Sequence, residues 1–357
     1  MVPGKAFDRI AIIWLENTDY DKAIGDPNLA WLASKGITLS SYHGVTHPSE
    51  PNYVANFGGD YFGMNNDDLN KLDANVSCLA DLLEAKGISW GEYQEDMPYT
   101  GYQGYQYLNK KGANDYVRKH NPAVIYNSVA EKEERLSKIK NTTLFFEDLE
   151  NDNLPQWMFI TPNMTSDGHD SSVTVAGSWT RNFVEPLLNN TKFMKNTLVL
   201  ITFDENETYT IQNNVLAILL GDAVPAKYIG TTDSTYYDHY SALSTVEANW
   251  DLDTLGRFDV GANVFKMVAE KTGDVVREWT ATPALENRYF NYSYAGPFND
   301  ISGKDDRPYA APNTDLVYAG RKVFPEVQQT WAKYANLSYY TTALEIPDGY
   351  YPPAGFA

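Results

Sequence analysis

The sequence predicts an α/β fold built on a central, mostly parallel sheet covered on both faces, and three observations predict it. The apolar runs at 7–15, 157–161, 197–203 and 215–220 are continuous rather than alternating, as in strands buried on both sides. Segments of helical length, closed by glycines, lie between them. Strand after strand stops at a turn rich in Asp, Glu, Asn and His, and open parallel sheets keep their sites at the carboxyl ends of strands. With 357 residues, 43% of them hydrophobic, the chain has material for one large core.

Taken in order, Phe7 to Leu15 is a central strand that delivers Glu16-Asn17-Thr18-Asp19. Asp26-Pro27 opens a helix closed by Gly36, and 36–42 is the next strand. It leads to Thr46-His47-Pro48-Ser49-Glu50-Pro51-Asn52-Tyr53, where Ser49 is expected as the N-cap of a helix that carries Pro51 in its first turn and ends at Gly58-Gly59. A helix follows over 75–86 and a strand over 88–93. The Tyr-, Gly- and Asn-rich stretch 99–127 reads as a long functional loop, and 131–140 as a charged, solvated helix. The strand 157–161 runs into Pro162-Asn163, then Asp167-Gly168-His169-Asp170. A helix spans 177–188. The strand 197–203 delivers Asp204-Glu205-Asn206-Glu207, and 215–220 is a further strand. Asp238-His239 opens a helix to about Trp250, and 259–272 is a last amphipathic helix before Gly273. From about Val275 the chain reads as an irregular wrap, so the expected organisation is a catalytic domain over 1–274 and an extension over 275–357.

The net charge of −19 argues against nucleic acid and anionic membranes as partners. The one cysteine, Cys78, rules out an internal disulfide. Seven Asn-x-Ser/Thr sequons, at Asn75, Asn141, Asn163, Asn189, Asn206, Asn291 and Asn336, point to an N-glycosylated protein that is secreted or held in a cell wall, its leader removed. Oligomerisation is left open.

In a twisted parallel sheet the polar turns share one edge, so Glu16, Asn17, Ser49, Asn163, His169, Asp204 and Glu205 can converge. His47 and His239 lie in the same class of turn. Glu, Asn, Asp and a Ser oxygen are hard ligands that suit one Mg²⁺, Ca²⁺ or Mn²⁺ better than Zn²⁺. A divalent ion beside a Ser hydroxyl at a helix start describes a phosphoryl-transfer site.

The segments ENTDYD (16–21), HPSEPNY (47–53), PNMTSDGHD (162–170), TFDENE (202–207) and DHYS (238–241) resemble, in order, those of the phosphoesterase family, most of all its fungal secreted acid phosphatases. That resemblance implies an alkaline-phosphatase-like, three-layer αβα sandwich and a metal-dependent phosphoric ester hydrolase acting on a small phosphate ester. It implies Ser49 as the phosphorylated nucleophile and Glu16, Asn17, Asp204, Glu205 and Ser49 as metal ligands. Asn52 and His47 are implied near the phosphate, with His120, from the family-like segment Lys119-His120-Asn121-Pro122, beside them. Two-zinc relatives carry Asp and His in a Pro-Asp-x-x-Gly-His turn; here Pro162-Asn163 and then Asp167-Gly168-His169 leave a poorer set, and His169 and His239 are expected where a second metal would sit. If they act as imidazolium donors, activity should peak at about pH 5 to 6. The same site could serve a phosphodiesterase or phospholipase C, with the segment 99–107 lining a pocket for the second ester group. A surface-binding glycoprotein with a dead site would instead show broken motifs, and these are intact.

Overall fold

The computed structural model describes residues 1–278, 293, 294, 296–298 and 308–344. Sequon Asn291 lies outside them. In chain order the first half holds β1 (Arg9–Leu15), α1 (Tyr20–Gly25), α2 (Pro27–Ala33), β2 (Ile37–His43), α3 (Ser49–Gly58), α4 (Leu79–Ala85), β3 (Trp90–Gln94), β4 (Gln106–Leu108), β5 (Asn114–Val117), α5 (Pro122–Ile125), α6 (Asn127–Ala130), α7 (Glu133–Leu136), β6 (Ile139–Asn141) and α8 (Thr143–Glu150). Then follow β7 (Trp157–Thr161), α9 (Val173–Val184), α10 (Thr191–Met194), β8 (Thr197–Phe203), β9 (Asn214–Leu220), β10 (Thr231–Asp233), β11 (Tyr237–Asp238), α11 (His239–Trp250), α12 (Phe258–Gly261), α13 (Lys266–Thr272), β12 (Val317–Tyr318), β13 (Arg321–Lys322) and α14 (Pro325–Trp331).

The main sheet runs β10-β2-β9-β8-β1-β7-β3-β6, with β11 extending the pairing of β2. Only β9 is antiparallel to its neighbours β2 and β8; the other pairs are parallel. This is the mixed α/β fold with a large, mostly parallel sheet that the apolar runs predict. Every residue of β1, β7 and β8 is buried, because helices cover both faces. On one side α1, α2 and α9 pack together, and on the other α3, α5, α11 and α13. Burying each large aliphatic side chain of these strands contributes about 2 kcal/mol, which is why runs such as Ile10-Ala11-Ile12-Ile13 tolerate no polar interruption.

Several local expectations are revised. Ser49 is the first residue of α3 rather than its cap; Pro48 holds the cap position and contributes no side-chain bond. The stretch 99–127 is not one loop but contains the β4–β5 hairpin and the short helix α5, and α6 opens at its last residue. The charged segment 131–140 forms a single turn, α7, and then enters the sheet as β6, since Ile139 is buried at the edge. The helix expected over 259–272 is two, α12 and α13. The extension is not wholly irregular: it forms the β12–β13 hairpin and α14. Tyr294 and Tyr340 donate hydrogen bonds to buried Asp60, and Arg321 pairs with Asp274, so its described parts pack on the core.

Inside α9, Gly177 marks a close approach. A Cβ there would stand 2.2 Å from Asp26 Oδ1, the oxygen that caps α2 by accepting from the Asn28 and Leu29 amides. Gly177→Ala is therefore expected to destabilise the fold by about 1–3 kcal/mol, read as a lower midpoint in denaturant unfolding. An unchanged midpoint would mean that α9 can shift away from α2 without loss.

Candidate active site

The site lies at the carboxyl ends of β1, β7 and β8. Parallel register sets Leu15 beside Phe203, so Glu16 and Asp204 leave the sheet side by side. The turns that follow are tied together. The Thr18 amide donates to the Glu205 carbonyl at 3.3 Å, the Glu16 amide to the Asp167 carbonyl at 3.0 Å, and Asp19 accepts from the Glu207 and Thr208 amides. Asn17 sits at φ +23°, a region that non-glycine residues occupy rarely and Asn more readily than most. From there its amide nitrogen donates to Asp204 Oδ1 at 3.3 Å and its side-chain Nδ2 to Glu205 Oε1 at 3.1 Å.

Helix α3 brings the serine to this edge. Ser49, 1% exposed, lies 3.1 Å from Glu16 Oε2 and 3.5 Å from Glu205 Oε1. Tyr53, one turn on, donates to the other Glu16 oxygen. Thus all five residues expected as ligands, Glu16, Asn17, Ser49, Asp204 and Glu205, meet in one place. Asp167 joins them: His120 lies 3.3 Å from Glu16 Oε1 through Nε2 and 3.5 Å from Asp167 Oδ2 through Nδ1.

Four carboxylates are thereby buried together. Removal from water and mutual repulsion push Glu16, Asp167 and Glu205 well above the usual carboxylate range, and burial moves Asp204 up to about 6. Asn17 Oδ1, Asp204 Oδ2, Asp167 Oδ2 and His120 Nε2 are buried without a hydrogen-bond partner among the described residues. Unsatisfied oxygens converging at fixed spacing, with uncompensated negative charge, fit a divalent cation. Glu16, His120 and Asp167 also offer one ligand atom each, all within 4.8 Å of one another.

The other expected residues are placed differently. The Asn52 side chain is committed to the preceding turn: its carbonyl accepts from the Val45 and Thr46 amides, and its amide donates to the Thr46 and Pro48 carbonyls. It shapes the approach to Ser49 and is fully buried. His239 has both ring nitrogens engaged, Nε2 with the Asp204 carbonyl and Nδ1 with the Tyr42 hydroxyl, and its ring lies against Trp14 at 4.2 Å between centroids. Burial lowers it to about 3. His47 approaches Glu205 and stacks on Tyr209 at 3.8 Å; burial again lowers it to about 3, and His120 is lowered well below its ordinary value. The expectation that His239 donates to the phosphate is therefore corrected: both of its ring nitrogens are engaged behind Asp204. His169 sits at the rim, 31% exposed at its side chain, with Nδ1 2.8 Å from Asp170, and its ring is 6.3 Å from that of His120. Asn163 Nδ2 donates to Asp96 and its carbonyl oxygen accepts from the Thr165 and Ser166 amides, so it serves the turn.

Sequence reasoning missed Asp167 and Tyr53 as neighbours of Glu16, and it missed Asp67. Asp67 accepts from the Glu50 amide and from Lys119 Nζ, each at 2.9 Å. Tyr53 was legible only as part of the serine motif, and nothing around Asn65-Asn66-Asp67-Asp68 signals a link to α3.

The profile of the Phosphoesterase family matches residues 27–253. The phosphate-repressible acid phosphatase of Penicillium chrysogenum is 54% identical over 84% of this chain and 71% of its own, and an acid phosphatase of Aspergillus niger is 48% identical over 96% of this chain and 81% of its own. Among solved structures, a protein in the alkaline phosphatase superfamily from Vibrio parahaemolyticus gives a TM-score of 0.44 at 10% identity, covering 69% of this chain and 67% of that one.

Proposed function

This chain belongs to the phosphoesterase family, and from that premise we propose that it is an acid phosphatase hydrolysing small phosphate monoesters through a phosphoserine at Ser49. The observation that carries the reading is the Ser49 hydroxyl at the start of α3, 3.1 Å from a Glu16 oxygen inside a cluster of four buried carboxylates. Glu16, Asn17, Asp204, Glu205 and the Ser49 oxygen would hold one divalent cation, with Mg²⁺, Ca²⁺ or Mn²⁺ favoured by the oxygen donors. Such an ion supplies Lewis-acid polarisation of the phosphoryl group and offsets its charge.

The chain's own residues then divide the work. Ser49 Oγ attacks phosphorus as the bond to the leaving oxygen breaks; Glu16, already accepting the hydroxyl hydrogen, takes the proton. His169, with Asp170 on Nδ1, gives a proton to the leaving oxygen at the rim. In the second half water attacks phosphorus, the Ser49–phosphorus bond breaks, His169 takes a proton from the water and Glu16 returns one to the serine. Asn52 and Tyr53 hold the turn and Glu16 in place. His169→Ala is expected to slow esters with poor leaving groups by about 10²-fold and those with good leaving groups far less; equal losses would place His169 outside proton transfer. Retention of configuration at phosphorus tests the double displacement itself.

We read the catalytic domain as 1–274 and the extension as 275–357, in a secreted or cell-wall setting. No helix among the described residues is long and apolar enough to cross a membrane. Of the described sequons, Asn75, Asn189 and Asn336 are exposed. Asn206 is buried and donates to the Thr208 and Gln212 carbonyls, while Asn141 and Asn163 are bonded on both sides of the amide. Peptide mapping of secreted protein should therefore find N-glycans at Asn75, Asn189 and Asn336 and none at Asn206; a glycan on Asn206 would contradict this placement.

A further inference from the structure

The charge around Ser49 presents a problem that the histidines and the helix end do not resolve. A phosphate monoester is largely a dianion at neutral pH, and it must enter a pocket already lined by Glu16, Asp167, Asp204 and Glu205. One divalent cation does not balance that set. The histidines are already engaged: His239 with the Asp204 carbonyl and the Tyr42 hydroxyl, His47 beside Glu205, and His120 between Glu16 and Asp167. The first turn of α3 offers little: Pro51 has no N–H, and the Glu50 amide is taken by Asp67.

Lys119 is placed to fill this need. The next residue in the chain, His120, lies 3.3 Å from Glu16 Oε1 and 3.5 Å from Asp167 Oδ2, so Lys119 stands at the edge of the carboxylate cluster. Only 14% of its side chain is exposed. Its ammonium is clamped by Asp67 Oδ2 at 2.9 Å, while the other oxygen of the same carboxylate holds the Glu50 amide, next to Ser49, at 2.9 Å. Asp67 is in turn fixed through its carbonyl, which accepts from the Tyr105 hydroxyl at 2.9 Å. The neighbouring Arg118 is turned elsewhere, onto the Asn70 and Val124 carbonyls.

We propose that Lys119 is a phosphate-binding residue whose ammonium, held by Asp67 against the first turn of the nucleophile helix, meets the second negative charge of a monoester. Asp67 is a positioning residue. The inference rests on Ser49 being the phosphorylated residue, and it assigns a basis for choosing monoesters over diesters: a diester carries one charge and needs this cation less.

The test uses the metal-loaded full chain with Lys119→Met, Lys119→Arg and Asp67→Asn, assayed on p-nitrophenyl phosphate and bis(p-nitrophenyl) phosphate. Lys119→Met should lower kcat/KM for the monoester about 100-fold or more while changing the diester by less than about fivefold, with bound metal unchanged. Lys119→Arg should recover much of the monoester preference, and Asp67→Asn should raise KM for the monoester more than it lowers kcat. Binding is measured separately by calorimetry of inorganic phosphate with Ser49→Ala alone and combined with Lys119→Met; the second change should weaken phosphate at least about tenfold. Equal losses on both esters, unchanged phosphate affinity, or loss of metal from Lys119→Met would each overturn the assignment. Because calorimetry needs no turnover, a Ser49→Ala protein that remained active would defeat the phosphoserine reading while leaving the Lys119 result interpretable.

Discussion

Replacing Ser49 with alanine is expected to lower kcat roughly 10⁴-fold or more, because its hydroxyl is the group set against the Glu16 and Glu205 oxygens, at 3.1 and 3.5 Å, at the start of α3, and loss of a covalent nucleophile leaves only binding and electrostatics. The fold should survive. Ser49 is buried, but among the described residues its side chain bonds to carboxylates that repel one another, so unfolding free energy should move by about 1 kcal/mol or less. Steady-state kinetics with circular dichroism on the same sample checks both parts. A variant keeping more than a tenth of the parent's kcat would move the nucleophile elsewhere.

The second large effect concerns the cation. Glu16→Ala and Asp204→Ala should each lose bound metal together with activity, weakening metal affinity by more than the roughly 10- to 100-fold typical of outer-shell changes. Elemental analysis after dialysis checks this, and chelation of the parent should abolish turnover until metal is returned. The buried carboxylates add an outcome of opposite sign. In metal-free protein they repel each other and resist ionisation, so metal-free Asp204→Asn should unfold at or above the temperature of the metal-free parent. Equal metal content in the parent and both alanine variants would remove these residues from the coordination shell.

What the sequence disclosed about this site follows from what local pattern encodes. Continuous apolar runs marked β1, β7, β8 and β9, and the polar residues just beyond them named Glu16, Asp204 and Glu205, because a parallel sheet delivers its strand ends to one edge. The convergence of Ser49 with them needed only α3 to start where Pro51 and Gly59 bracket it. The setting of His239 was missed because residue type does not report burial: it follows a helix-capping Asp as a catalytic histidine could, yet Trp14, Tyr42 and the Asp204 carbonyl enclose it. Lys119 and Asp67 were illegible for another reason. Their partnership joins residues 52 positions apart, neither follows a strand of the main sheet, and no periodicity relates the loop before α4 to the turn before α5. The single turn α7 passed for a longer helix because charge patterning cannot register that Ile139 enters the sheet edge.

The central claim is a double displacement through Ser49, and the stereochemical course at phosphorus tests it most directly. The measurement uses a monoester made chiral by oxygen isotopes, with transfer of the phosphoryl group to an acceptor alcohol so that the product can be analysed. Two in-line displacements, first by Ser49 and then by the acceptor, predict retention of configuration. Inversion would mean that the acceptor attacks the substrate directly, and would contradict the phosphoserine account.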